Sequence, residues 1–157
     1  MERLQRIAIG NGLLVVLAAM FAGLMLMSSL LGGWELWPGN IFPIPAYGTS
    51  EGWVRAHSGG VMNGILLIVI GLALPKLGLS AAMQRLMAYG FICVAWGFTA
   101  FYWFGNAAGS RALTLGSNPL GETDIYGVIG FIFAAPPVFL VIFLLAVGAK
   151  GILLNND

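Results

Sequence analysis

The sequence predicts an all-α membrane protein, with four transmembrane helices in an antiparallel bundle forming a single domain over residues 1–157. Two observations carry this. Hydrophobic residues fill 59% of the positions and charged ones only 8%, where a soluble domain carries about a quarter charged. Four apolar runs also reach the span of a bilayer core. Residues 7–31 measure ~37 Å as a helix, 57–74 ~27 Å, 87–104 ~27 Å and 125–147 ~34 Å. A β-barrel would need strands of about ten alternating residues, and these runs are continuous and much longer.

Helix 1 (7–31) follows Arg3 and Arg6 and carries Asn11, Ser28 and Ser29 as its interior polar residues. It is too long for the hydrophobic region of a signal peptide. Asn11 is expected to bond a neighbouring helix. The loop Gly32-Gly33-Trp34-Glu35-Leu36-Trp37-Pro38-Gly39, extended by Pro43 and Pro45, suits an ordered interfacial segment with its indoles at headgroup level.

Helix 2 (57–74) opens at His57, the sole histidine. At about 100° per residue, Gly60, Gly64 and Gly71 fall within about 60° of His57, together with Val61 and Ile68. Such a glycine stripe is either a helix-packing seam or a slot for a flat cofactor. His57 itself is either a cofactor ligand or a satisfied interfacial side chain, and an ionisable group at membrane depth raises the first reading. Asn63 lies roughly 120° around from His57 and about 9 Å deeper, so the two flank a volume rather than touch. Glu51 and Arg55, four apart, pair if the helix starts early.

Helix 3 (87–104) follows Pro75 and Lys76 and is rich in aromatics. Thr99, Tyr102 and Asn106 share a face. Helix 2 enters from the long-loop side and helix 3 exits toward it, which puts Tyr102 and His57 at similar depth. The loop 105–124 carries the turn residues of a folded cap. Asp124 or Thr123 can cap helix 4 (125–147), which Pro136-Pro137 should kink.

Net charge is +1, and no basic cluster offers a nucleic-acid footprint. The single Cys93 excludes an intramolecular disulfide. Arg3, Arg6, Lys76, Arg85 and Lys150 flank one side of the membrane, and Arg55 and Arg111 the other. That asymmetry places both termini in the cytoplasm and the two long loops outside.

Several blocks now combine: Leu31-Gly32-Gly33-Trp34-Glu35; Glu51-Gly52-Trp53-Val54-Arg55-Ala56-His57-Ser58-Gly59 with Asn63-Gly64; Phe101-Tyr102 with Phe104 and Asn106; and Leu113-Thr114-Leu115-Gly116 with Asn118, Gly121 and Asp124-Ile125. In this order and spacing, covering most of the chain, they resemble the styrene oxide isomerases, bacterial membrane enzymes that turn aryl epoxides into aldehydes. The resemblance implies a homotrimer in the bacterial inner membrane, with haem b near the subunit interfaces and an aryl epoxide as substrate. His57 matches the axial haem ligand, beside the glycine stripe of Gly60 and Gly64. Tyr102 and Asn63 match the residues that hold the epoxide oxygen. The chain departs from the family pattern at Val94 and Phe98, where polar groups including a carboxylate are expected, and at Asn11, where a histidine is.

The chemistry so implied is a rearrangement without net redox: ferric haem b as Lewis acid on the epoxide oxygen, then a 1,2-hydride shift. Rival readings are a haem-bearing electron-transfer subunit, a zinc site built from three copies of His57, a small transporter and a non-catalytic helix bundle. An electron carrier usually needs a second axial ligand, and Met62 lies too close along the same helix to supply it. A proton-coupled transporter normally carries a mid-membrane carboxylate, whereas Glu2, Glu35, Glu51, Glu122, Asp124 and Asp157 all fall in loops or tails.

Overall fold

A computed structural model describes residues 1–154; Asp157, assigned above to a tail, lies outside them. The element order is α1 (Arg3–Leu31), β1 (Gly33–Trp37), β2 (Asn40–Pro43), α2 (Ser50–Ala73), a 3₁₀ turn (Leu74–Lys76), α3 (Ala81–Ala107) and α4 (Ile125–Leu154). Among the described residues, four helices are long and apolar enough to cross a membrane, so the chain is a multi-pass membrane protein. α1 packs along α2, α2 and α1 against α3, and α4 chiefly on α3. α3 is therefore the central helix, while α1 and α4 turn Leu17, Phe21, Phe139 and Ile142 outward, an apolar surface suited to lipid or to another subunit.

The helices outrun their apolar cores, and the reason is capping. α2 begins at Ser50, two turns before His57, because the Thr49 hydroxyl accepts the Gly52 N–H at 3.0 Å. The polar turn so added buries Gly52, Trp53 and Ala56. His57 is thus well inside the helix rather than at its head. Ser80 caps α3 through the Met83 N–H at 3.4 Å, six residues ahead of the apolar run. Asp124 caps α4, accepting the Gly127 N–H at 2.8 Å as expected. α4 runs unbroken through Pro136 and Pro137 to Leu154, and Pro137 rests on Gly97 of α3.

The segment after α1 is a β-hairpin, which its glycine, proline and tryptophan content does not disclose. Gly32 ends α1 in the left-handed region (φ 75°), returning its N–H to Ser28 at 2.8 Å. β1 and β2 pair antiparallel, Trp34 opposite Phe42, around a turn at Pro38-Gly39. The Trp34 indole donates to the Leu24 carbonyl at 3.0 Å and ties the hairpin to α1. Trp37 stays exposed, as an interfacial anchor would.

The glycine stripe of α2 is a packing seam. A Cβ on Gly64 would stand 2.6 Å from Val16 and 2.8 Å from the Gly12 carbonyl; one on Gly60, 2.8 Å from Ala19; one on Gly71, 3.1 Å from Ala8. Small residues let the two backbones touch, the usual source of helix association in lipid. Gly64→Leu is therefore expected to split α1 from α2 and destabilise the protein by at least about 3 kcal/mol, read as a lower midpoint in denaturant titration. Asn11 bonds a neighbouring helix, accepting from the Trp96 indole at 3.0 Å.

Candidate active site

His57 is half-buried on the side of α2 that faces α1. Its Nδ1 lies 2.9 Å from the Ala19 carbonyl, which can only accept, so Nδ1 carries the proton. That leaves Nε2 as the ring nitrogen through which the imidazole could bind a metal. The ring lies against Gly23, where a Cβ would come within 2.9 Å of Nδ1. Together with Leu17, Met20, Phe21, Gly23 and Leu24 it lines an apolar groove of about 570 Å³. Neither Ala19 nor Gly23 stands out in the sequence, since nothing in α1 announces which carbonyl and which bare backbone α2 will meet.

Tyr102 and Asn63 come together on the other side of α2. The Tyr102 phenol rests on Gly59, where a Cβ would lie 2.7 Å from the ring and 2.8 Å from its hydroxyl. Asn63 is one helical turn deeper than Gly59. The two side chains adjoin, but the amide nitrogen falls short of hydrogen-bonding geometry and stays buried without a partner. A buried N–H left unpaired costs about 1–3 kcal/mol. Such a group calls for an acceptor, whether an ordered water or a ligand.

Gly59 sits about 200° around α2 from His57. His57 and Tyr102 share a depth, as expected, but the helix stands between them, and they line different pockets. Asn63 and His57 likewise do not flank one volume within a chain. Gly60 and Gly64 are corrected too: both are buried under α1 and leave no face for a cofactor. The adjacent pair Gly59-Gly60 thus serves two neighbours, one glycine for Tyr102 and one for α1.

A network at the loop end holds this arrangement. Asn106, on the face of α3 shared with Tyr102, accepts the Thr49 N–H at 3.0 Å and so pins the start of α2. Trp53 is fully buried; its indole donates to the Tyr47 carbonyl at 2.8 Å and meets Tyr47 and Trp103 edge-on. Burial pushes the Tyr47 phenol up, so it stays protonated and donates to the Trp103 carbonyl at 3.3 Å. The loop 108–124 is the folded cap expected: Asn118 bridges to Gly121 and donates to the Ser110 carbonyl at 2.9 Å. Glu51 and Arg55 share the early turn of α2 and interact through space, without a contact ion pair. Val94 is buried.

Comparison with known proteins identifies the family. A family model described as styrene oxide isomerase matches residues 4–153. The chain is also similar to a styrene-oxide isomerase from Pseudomonas fluorescens, 35% identical over 144 residues, which cover 92% of this chain and 82% of the relative. A family match over nearly the whole chain, with a relative at that identity, settles the assignment: the chain belongs to the styrene oxide isomerase family and is an isomerase.

Proposed function

We propose that the enzyme rearranges styrene oxide-like aryl epoxides to arylacetaldehydes in a site assembled between neighbouring subunits, with haem b held by His57. The observation that carries this reading is the unpartnered, buried amide nitrogen of Asn63 beside the Tyr102 hydroxyl. The amide and the hydroxyl adjoin without a full hydrogen bond between them, a pair that could donate together to an epoxide oxygen.

The residues present fit the cofactor. His57 offers Nε2, since Nδ1 is engaged by the Ala19 carbonyl, and the groove around it is apolar and large. Bound there through His57, ferric haem would supply a Lewis acid. The groove lies on the outer surface of α1 and α2, whereas Tyr102 and Asn63 lie across α2. A homotrimer reconciles the two, each His57 facing the Tyr102 and Asn63 of a neighbour. The cation distribution supports cytoplasmic termini, and the family resemblance supports the bacterial inner membrane.

The chain's own groups then act on the epoxide. Tyr102 O–H and Asn63 N–H donate to its oxygen as negative charge develops, each worth about 1.5–3 kcal/mol with a charged acceptor. The C–O bond opens at the benzylic carbon, whose positive charge the aryl ring spreads. A hydride migrates from the adjacent carbon and the carbonyl forms, with no atom or electron gained or lost. The apolar groove beside His57 would shield that side of the substrate from water, which would otherwise trap the cation as a diol.

The test is a purified preparation incubated with styrene oxide and no added reductant. Phenylacetaldehyde and a Soret band are expected together; turnover by a colourless preparation refutes the cofactor assignment. Tyr102→Phe should keep the Soret band and lose roughly 10²-fold or more in kcat. An unchanged kcat removes Tyr102 from the mechanism.

A further inference from the structure

Of the seven cationic side chains, only Arg55 and Arg111 belong to the long-loop end. Folding brings this pair, far apart in sequence, to the walls of one pocket of about 260 Å³, with Tyr102, Asn106 and Phe101. Arg55 falls on the same side of α2 as Gly52, Gly59 and Asn63, one turn closer to the loops than the seat of Tyr102.

Arg111 is held there by unusual backbone. It and Ala112 both adopt the left-handed region, φ 54° and 55°, which non-glycine residues seldom enter because of backbone strain. Packing enforces the turn. Ala112 is fully buried, its methyl filling the space left by Gly130, where a Cβ would come within 2.6 Å of it. Gly105 leaves room for the Arg111 carbonyl, 3.0 Å from where its own Cβ would be. Strain sustained from two helices, with an arginine as its outcome, points to a use for that arginine.

The pocket is rich in donors. Asn106 is 9% exposed; its Oδ1 is committed to Thr49, and its Nδ2 is buried without a partner. Among the described residues neither guanidinium has a contact ion pair. Glu51, the nearby carboxylate, is within electrostatic reach of both but bonds its own backbone N–H and Thr49. Two planar guanidinium forks and an orphan amide N–H match a carboxylate, which accepts at both oxygens.

We infer that Arg55, Arg111 and Asn106 form a carboxylate subsite that takes a propionate of the haem facing Tyr102. This rests on the cofactor reading above. A haem ring is apolar except for two carboxylates on one edge. With the ring beside Tyr102, that edge is best placed toward the loop end, where these donors lie one helical turn away.

The full chain in nanodiscs, freed of porphyrin, is titrated with ferric protoporphyrin IX and with its dimethyl ester. Wild type should bind the diacid more tightly than the ester. Arg55→Gln and Arg111→Gln should each weaken the diacid about tenfold and leave the ester unchanged. Weakening of both ligands alike makes the arginines structural and overturns the assignment. Equal affinity of wild type for diacid and ester, with phenylacetate inhibiting wild type but neither variant, gives the pocket to a free carboxylate and also overturns it. A wild type that takes up neither porphyrin overturns the cofactor reading itself, a result distinct from the others.

Discussion

His57→Ala is expected to yield a folded protein with less than about a tenth of the wild-type haem and no measurable epoxide turnover. The fold should survive because the ring contributes little to it. It is half-buried, and its one bond, from Nδ1 to the Ala19 carbonyl at 2.9 Å, is worth about 1 kcal/mol. The cofactor should not survive, because the chain has no other imidazole and the groove walls are hydrocarbon. The measurement is the Soret absorbance per mole of purified protein, with circular dichroism to confirm helix content. His57→Gly with added imidazole sharpens it, since a small ligand filling the vacated space should restore part of the Soret band. Full absorbance in His57→Ala would refute ligation by this residue.

Gly52→Ala should be among the most destabilising single-methyl changes in the chain. A Cβ there would overlap the side-chain amide of Asn106. Neither partner can yield freely. Gly52 donates its N–H to the Thr49 cap at 3.0 Å, and Asn106 accepts the Thr49 N–H at 3.0 Å. The clash should therefore cost an overpacking term of about 1–3 kcal/mol, with about 1 kcal/mol more from the weakened cap. The loss spreads to function, because Trp53, Arg55 and His57 all hang on the first two turns of α2. The check is the denaturant midpoint of Gly52→Ala against that of Gly52→Ala with Asn106→Ala. Trimming the amide removes the obstacle, so the double variant should be less destabilised than the sum of the single changes. Strict additivity would show that the two residues do not compete for one space.

The four spans were legible because a bilayer core demands about twenty apolar residues in a row, a condition any hydropathy reading meets directly. The caps of α2 and α3 were harder. Ser50–Ala56 is polar enough to pass for loop, and it becomes helix through Thr49 and through burial against α3 that no local rule encodes. The hairpin was likewise hidden. Its pairing of Trp34 with Phe42 needs the turn at Pro38-Gly39, while its tryptophans read equally well as interfacial anchors. Asn11 bonds a neighbouring helix as expected, and of the two cap candidates, Asp124 and Thr123, Asp124 is the one that caps α4, because a polar group in oil or at a helix start has few options.

His57, Tyr102 and Asn63 stand out from the sequence, since a lone imidazole, a phenol and an amide in apolar helices are conspicuous and match a family motif. What they do to one another was not readable. The sequence by itself determined the membrane class, the helix count and the chemical groups available, because hydrophobicity and hydrogen-bonding capacity belong to individual residues. Only the tertiary structure decided that Gly60 and Gly64 carry α1 rather than a ligand, that Tyr102 sits on Gly59, and that α2 separates it from His57. Those outcomes depend on which face of a helix each neighbour covers, and that is fixed by packing between segments far apart along the chain.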